Sequence, residues 1–252
     1  MSVLCYHAVE DGWVSPMAVP PADFSEQCAW LARRRRVLPL AEAVGRLNRK
    51  GRLPRGTCAL TFDDGFASMY DQAWPVLARH ELPWTVFLVA ETLTERGRPV
   101  DWVDTPPPYP MTTLTRDQVL EMHAAGVDFQ SHSWAHRDLS TLGDAECERD
   151  LRESRELLED LLGTTVPFLC YPRGRHTERV RAAAMRAGYT HAFALPERSE
   201  PAGPYAIPRV GIHYGNTMRV VRVKDDPAYL TARTAPAYDV VRRLRHRRRP
   251  AR

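Results

Sequence analysis

Short apolar runs alternate with amphipathic stretches along most of the 252-residue chain. In the amphipathic stretches apolar residues recur three or four positions apart, as at Phe24, Cys28 and Leu31, and this spacing places them on one face of a helix. Each apolar run has the length of a buried strand, about four to eight residues. The runs cover residues 3–6, 58–62, 85–90, 127–130, 167–171, 190–195 and 206–212. The pattern therefore predicts seven strands with helices between them.

Repeated alternation of strands and helices predicts an α/β fold with a parallel sheet and right-handed crossovers. Seven strand–helix units favour closure of the sheet into a distorted or incomplete (β/α)7-type barrel. Such barrels often form one domain of about 200–250 residues, so we expect one main domain here. The segment 97–113 contains five prolines and is predicted to form a loop over the barrel mouth.

The positive charge of the chain is concentrated at its C-terminal end. The formal net charge is +4, but seven arginines and no acidic residue lie between positions 242 and 252, which leaves −3 for residues 1–241. We therefore divide the chain into a main domain, 1–225, and a basic tail, 226–252. An acidic body argues against nucleic-acid binding. The tail has two interpretations that stay open: a solvated segment, or a peripheral contact with an anionic membrane.

Cysteine usage and the N-terminal sequence point to one compartment. The five cysteines are scattered and form no C-x-x-C pair, which argues against a disulfide framework and against a thiolate zinc site. The N-terminal residues lack the features of a signal peptide. No apolar run approaches the roughly 20 residues that a membrane span requires. We expect a cytoplasmic protein, at most peripheral at the inner membrane face.

Two adjacent carboxylates follow the apolar run that ends at Phe62. Asp63 and Asp64 precede Gly65, which allows a tight turn. Neighbouring side chains at a strand end point in different directions. One carboxylate can therefore bind a metal ion while the other remains free as a base. An aspartate-rich turn without chemistry is the alternative interpretation.

Two histidines, His132 and His136, stand four positions apart directly after another apolar run. If the chain turns helically there, both imidazoles can reach one ion. Structural or solvated histidines are the alternative for such a pair taken alone. Together with Asp64 the pair forms a set that recurs in catalytic zinc sites and leaves one coordination position for water. Both segments follow predicted strands, and active sites of such barrels form at the carboxyl ends of the strands.

A third segment follows the run 167–171. It reads Tyr171-Pro172-Arg173-Gly174, and a helix is expected to begin at about Thr177. A backbone N–H presented at such a turn can bind a developing oxyanion. The alternative is a strand-to-helix turn with solvated arginines.

Taken in this order, the three segments resemble the polysaccharide deacetylase family, whose members are also described as NodB-like domains or carbohydrate esterase family 4. Residues 61–65 match the T-F-D-D-G motif of the family, and residues 132–136 match its H-[ST]-x-x-H motif. Residues 3–9 are similar to the Y-H-x-V opening of a subset that acts on surface polysaccharides. The resemblance extends over about residues 1–215.

The resemblance implies that Asp64, His132 and His136 are metal ligands and that Asp63 is the general base. The implied cofactor is a divalent metal ion, zinc in the first place, with cobalt and nickel as alternatives. In the family's third motif an arginine holds the catalytic aspartate, and this arginine is missing from its usual place in residues 170–173. Arg209 is the candidate for replacing it from another strand.

The resemblance also implies a general-acid histidine, for which the sequence leaves three candidates. They are His7, His213 and His176, among which we favour His7. The N–H of Arg173 is expected to bind the oxyanion. Tyr171 and His213 are expected beside the substrate.

The implied activity is that of a metal-dependent hydrolase, which removes acetyl groups from N-acetylated amino sugars in a glycan or glycoconjugate. One alternative is an amidase or deacetylase that acts on a small molecule or a cyclic imide. Another is a carbohydrate-binding homologue with little catalytic activity. The expected partner is an N-acetylated sugar, and no nucleic acid is expected.

Overall fold

Parallel strands surround the centre of the molecule, and helices lie outside them. The computed structural model describes residues 2–51, 53–195 and 202–235. Its strands are β1 (Ser2–Tyr6), β2 (Ala8–Val9), β3 (Ala18–Val19), β4 (Arg36–Val37), β5 (Thr57–Phe62), β6 (Trp84–Leu88), β7 (Asp128–Ser131), β8 (Phe168–Cys170), β9 (His191–Ala194), β10 (Ile207–Pro208) and β11 (Val210–Gly211). Its helices are α1 (Pro21–Arg34), α2 (Leu40–Lys50), α3 (Trp74–Arg79), α4 (Arg116–Ala124), α5 (Asp144–Leu162), α6 (Glu178–Arg186), α7 (Met218–Lys224) and α8 (Pro227–Thr234).

The main sheet is nearly closed into a barrel. Its strand order is β10-β9-β8-β7-β6-β5-β1-β11, and the paired strands are parallel. The two end strands of this order, β10 and β11, are separated in sequence by Arg209 alone. One short segment, residues 207–211, therefore borders both ends of the sheet. The predicted (β/α)7-type barrel is confirmed.

The last predicted strand differs from the expectation, because it is interrupted. The Arg209 N–H donates a hydrogen bond to the Ala194 carbonyl at 2.9 Å, whereas the Ile212 N–H donates to the Cys5 carbonyl at 2.8 Å. The backbone thus changes its pairing partner from β9 to β1 within a few residues. This change of partner turns the chain at Arg209 and breaks the strand in two.

Side chains of the barrel strands alternate between the interior and the helix layer, as the pleat of a strand requires. The interior positions belong to one core cluster, which includes Val3, Ala59, Phe87, Phe168 and Phe193. A larger cluster lies beneath the helices and includes the alternate positions Leu4, Leu60, Val86, Leu169 and Ala192. Because Ala59 points inwards, Thr61 and Asp63 point inwards as well. Alternation along β5 therefore directs Asp63 into the mouth of the barrel.

α6 begins where the sequence predicts, and a glycine stands at each end of α5. α5 follows Gly143 and ends at Gly163, whose φ of 65° lies in the left-handed region that favours glycine. The Thr177 hydroxyl accepts a hydrogen bond from the Val180 N–H and caps α6. α5 contacts β7, so it lies close to the segment that follows this strand.

The proline-rich segment 97–113 lies over the barrel mouth, as predicted. The indole N–H of Trp13 donates a hydrogen bond to the Thr105 carbonyl at 2.7 Å. Arg173, in the turn after β8, donates to the Asp104 carboxylate at 3.1 Å and to the Trp102 carbonyl at 3.0 Å. The segment is therefore held by contacts with the N-terminal region and with the turn after β8.

The C-terminal part begins with a helix. α8 contacts α7, and its Leu230 belongs to the larger core cluster. The run of arginines from position 242 onwards lies outside the described residues. The domain boundary at residue 225, the membrane contact of the tail and the cytoplasmic location stay predictions. Among the described residues no helix is both long and apolar enough to span a bilayer.

Candidate functional site

Two of the predicted segments meet at the carboxyl ends of β5 and β7. The possible ligand atoms of Asp64, His132 and His136 all lie within 4.8 Å of one another. Asp64 Oδ1 lies 3.2 Å from His136 Nε2 and 3.5 Å from His132 Nε2. All three side chains are buried. The structure thus places the predicted metal ligands in a single cluster.

The two adjacent carboxylates point in different directions because the chain leaves β5 in an unusual conformation. Asp63 keeps the inward direction of its strand, whereas Asp64 has a φ of 72° and turns towards the histidines. Gly65 follows with a φ of 68°, and a Cβ there would lie 2.7 Å from Leu88 Cδ2. Left-handed backbone is unfavourable for most residues and often marks functional sites. The prediction that Asp63 and Asp64 face different groups agrees with this geometry.

The histidine segment does not turn helically, which corrects the condition set by the sequence. Ser133 has a φ of 71° and His136 a φ of 53°, so the chain forms an irregular turn. The His136 N–H donates to the Ser133 hydroxyl at 3.1 Å, which closes the turn. Two left-handed residues bring the imidazoles together in place of a helical repeat.

A hydrogen bond to His132 and the burial of both imidazoles prepare the pair to act as ligands. His132 Nδ1 lies 2.8 Å from the Cys170 carbonyl oxygen, which accepts a hydrogen bond from the Nδ1–H. The lone pair of Nε2 then faces Asp64. Burial lowers the pKa of His132. Burial also lowers the pKa of His136 to about 2, and the neighbouring His132 contributes to this decrease. Both rings are therefore neutral near pH 7, which is the form that binds a metal ion.

The Asp64 carboxylate fits a cation. Among the described residues neither of its oxygens has a hydrogen-bond partner, although both are buried. Burial, followed by the charge of Asp63, raises the pKa of Asp64 well above its usual range. A buried and unpaired carboxylate is costly unless a cation compensates it. One carboxylate and two neutral imidazoles form a donor set that suits zinc.

Arg209 holds the neighbouring carboxylate with a two-pronged contact. Its Nη1 lies 2.7 Å from Asp63 Oδ1, and its Nη2 lies 2.6 Å from Asp63 Oδ2. Burial by itself would raise the pKa of Asp63, but Arg209 outweighs it and holds this pKa well below its usual range. The arginine predicted to act from another strand thus reaches Asp63 from the segment that closes the barrel.

Other interior side chains complete the surroundings of this ion pair. Thr61 Oγ1 lies 3.1 Å from Arg209 Nη1, and Cys170 Sγ lies 2.6 Å from Arg209 Nη2. The Cys5 thiol donates to Asp63 Oδ2 at 3.4 Å. None of these three residues was predicted from the sequence as part of the site. Strand alternation is the signal that could have found them, because all three stand at inward-facing positions of barrel strands, as Asp63 does at the end of β5.

Arg209→Met should lower the free energy of unfolding by about 3–5 kcal/mol, because it leaves the buried Asp63 carboxylate without its partner. Arg209→Lys should cost less, since an ammonium keeps the charge but lacks the planar two-pronged contact. Urea unfolding followed by circular dichroism measures both changes. The double variant Asp63→Asn/Arg209→Met should recover part of the loss, because it removes both charges. Wild-type stability of Arg209→Met would contradict the expectation.

His7 lies beside Asp63. Its Nε2 is 3.9 Å from Asp63 Oδ2. Burial lowers the pKa of His7 to about 4 against the opposing effect of Asp63, and the nearby His213 adds to the decrease. His213 itself is fixed through Nδ1, which lies 2.8 Å from the Pro16 carbonyl. Of the three candidate acids, the structure therefore brings His7 next to Asp63 and His213 near His7.

Tyr171 does not point towards this cluster. Its neighbour Cys170 points into the barrel, so alternation turns Tyr171 towards the helix layer. The Tyr171 hydroxyl donates to the Tyr205 carbonyl at 3.1 Å, and its ring packs against His176 with 4.8 Å between centroids. The expectation of a Tyr171 side chain beside the substrate does not agree with this geometry. The imidazole of His176 lies beside Tyr171, and its Nδ1 is 3.1 Å from Arg181 Nη1.

Two residues of the proline-rich segment border the site, and sequence analysis identified neither. The Trp102 ring stacks on the His136 imidazole, with 5.1 Å between centroids and 29° between planes. The Asp104 carboxylate binds the guanidinium of Arg173. The backbone φ of Arg173 is 57°, which belongs to a tight turn. The position of Trp102 depends on contacts made across the barrel mouth, so no local pattern reveals it. Binding of an oxyanion by the Arg173 N–H stays a prediction.

Comparisons with known proteins agree with this geometry. Residues 50–192 match the polysaccharide deacetylase family model. YxkH of Bacillus subtilis is 24% identical over 218 residues, which are 85% of this chain and 72% of YxkH. The poly-β-1,6-N-acetyl-D-glucosamine N-deacetylase of Staphylococcus epidermidis is 26% identical over 208 residues, 77% of this chain and 67% of its own.

A solved structure shares the barrel fold. The deacetylase PplD of Streptococcus pyogenes, in complex with acetate, superposes with a TM-score of 0.74 at 24% identity. The superposition covers 90% of this chain and 98% of PplD. Because the family model spans more than half of the sequence, the chain belongs to the polysaccharide deacetylase family.

Proposed function

We propose that this protein is a metal-dependent hydrolase that removes acetyl groups from N-acetylated amino sugars in a glycan. The observation that carries the proposal is the cluster of Asp64, His132 and His136 beside an Asp63 held by Arg209. The protein's relative from Staphylococcus epidermidis is named for de-N-acetylation of a glucosamine polymer, and PplD is a deacetylase that binds acetate. Acetate is the product that hydrolysis of an acetamide releases.

Asp64, His132 and His136 are the proposed ligands of a divalent metal ion, with zinc as the first candidate and cobalt or nickel as alternatives. The support is the pair of buried Asp64 oxygens that lack a hydrogen-bond partner among the described residues, together with two neutral imidazoles. When bound, such an ion polarises the acetamide carbonyl and makes a nearby water more acidic. Three protein ligands leave room in the coordination sphere for this chemistry.

Asp63 is the proposed general base. Its low pKa keeps the carboxylate ionised at neutral pH, so it is ready to accept the proton of the attacking water. Arg209 fixes both carboxylate oxygens and thereby the direction in which the proton is taken. As the proton moves to Asp63, the water oxygen forms a bond to the carbonyl carbon.

A proton must then reach the departing nitrogen as the carbon–nitrogen bond breaks. His7 is the proposed donor, because it lies beside Asp63 and can take the proton over from that carboxylate. The products are acetate and a free amine on the sugar. The turn at Arg173 is the proposed source of an N–H for the carbonyl oxygen, whose negative charge grows during the attack.

Acetate release from N-acetylglucosamine oligomers tests the proposal. Zinc-loaded wild-type protein should release acetate and create one new amine for each acetate, and a chelator should stop the reaction until zinc is restored. Small acetamides and cyclic imides should react poorly in parallel assays. His132→Ala serves as the inactive control. Rapid hydrolysis of a cyclic imide without acetate release from the oligomers would favour the rival small-molecule amidase.

A further inference from the structure

A carboxylate on α5 accepts a hydrogen bond from the turn that carries the two histidines. Asp150 Oδ1 accepts a hydrogen bond from the Trp134 N–H at 2.8 Å. Trp134 stands midway between His132 and His136 in the sequence. Asp150 is only 3% exposed, and Trp134 is half-buried. The contact therefore fixes the middle of the segment that presents both imidazoles.

The opposite side of the same turn is bound by the residues that follow β6. The Ala90 N–H donates to the Ser133 carbonyl at 3.1 Å, and the Glu91 N–H donates to the Trp134 carbonyl at 2.9 Å. These two bonds hold backbone carbonyls, whereas Asp150 holds a backbone N–H. Because Ser133 adopts a left-handed conformation, the turn needs such external contacts to keep its shape.

Folding stability alone gives little reason for a carboxylate at position 150. Burial raises the pKa of Asp150 to about 6, and among the described residues its Oδ2 has no hydrogen-bond partner. Arg137 Nη2 lies 3.7 Å from Oδ2, and Arg137 directly follows His136. A buried carboxylate with so little compensation destabilises a fold in comparison with a neutral side chain. Its specific contribution is the acceptor that it offers to the turn.

We propose that Asp150 is a positioning residue for the metal ligands. It is not one of the three proposed ligands; through Trp134 it holds the turn so that His132 Nε2 and His136 Nε2 both face Asp64. The inference rests on the metal site of the proposed function, and it adds a residue to that site from a helix outside the barrel. The role resembles that of outer hydrogen-bond partners which orient metal ligands, although here the bond acts on the backbone between the ligands.

Zinc affinity measured with a competing chelator tests the inference without any assay of activity. Asp150→Ala should weaken zinc binding by about 10- to 100-fold, the usual effect of losing a group that orients metal ligands. Asp150→Asn should remain close to wild type, because the amide oxygen can still accept the Trp134 N–H. Leu158→Ala is the matched control, since Leu158 is a buried residue eight positions further along α5. It should lower the melting temperature through a cavity and leave zinc affinity unchanged.

Wild-type zinc affinity in Asp150→Ala would overturn the inference, and so would equal weakening in Asp150→Ala and Leu158→Ala. Zinc binding that is lost in Asp150→Ala and kept in Asp150→Asn would support it, even if the wild-type protein released no acetate. A wild-type protein that binds zinc but releases no acetate would count against the proposed function alone. A wild-type protein without zinc affinity would overturn both.

Discussion

Asp63→Asn should reduce the rate of acetate release by about 10²- to 10⁴-fold, the usual contribution of a general base, while zinc remains bound. An asparagine oxygen can still accept a hydrogen bond from Arg209, but the amide cannot take a proton from water. The metal ligands Asp64, His132 and His136 are unchanged, so the zinc content should stay near that of the wild type. Acetate release and metal analysis on the same preparation measure the two quantities.

A matched control separates the loss of the base from the loss of a charge. Asp71→Asn changes an exposed aspartate and should leave the rate of acetate release unchanged. Urea unfolding of Asp63→Asn should show a folded protein of lower stability, because Arg209 loses its charged partner in the interior. A wild-type rate in folded Asp63→Asn would remove this residue from the mechanism.

His132→Ala should abolish both zinc binding and acetate release. Only two of the three proposed ligands remain in this variant, and two ligands do not hold zinc against competition from water. The Cys170 carbonyl also loses the imidazole that it orients. Metal analysis after dialysis, together with acetate release, measures the effect.

Another histidine provides the control for this variant. His123 lies at the end of α4, where its Nδ1 is 3.3 Å from the Val127 carbonyl. His123→Ala should therefore keep zinc and activity. Full zinc occupancy and full activity in His132→Ala would show that the ligand assignment is wrong.

Strand and helix positions could be predicted closely from the pattern of apolar residues. The strand expected at residues 58–62 is found at Thr57–Phe62, and the helix expected to begin at about Thr177 is α6, Glu178–Arg186. These elements are encoded locally, since a buried strand requires consecutive apolar residues and a packed helix requires a repeated apolar face. One predicted strand is broken at Arg209, where the backbone exchanges β9 for β1, and the short strands β2, β3 and β4 were not predicted.

The direction of individual side chains could not be predicted from the local pattern. Cys170 and Tyr171 stand next to each other in the third motif, and the sequence analysis expected Tyr171 at the site. The structure directs Cys170 to Arg209 instead, and Tyr171 to Tyr205. A shift of one residue along a strand reverses the face on which a side chain lies, so the register of β8 decides which of the two faces the interior.

The sequence by itself determined the barrel and the four central residues, Asp63, Asp64, His132 and His136, because each pair is adjacent or four positions apart at the end of a recognisable strand. The sequence offered Arg209 as a candidate partner of Asp63, and only the tertiary structure decided that the two meet, across 146 positions of sequence. Only the tertiary structure brings Asp150 to the histidine turn, from another element. Trp102 covers His136 from a loop whose place depends on contacts at the barrel mouth. Such contacts depend on how the barrel closes and how its loops fold back. The spacing of residues along the chain does not encode which distant residues come into contact.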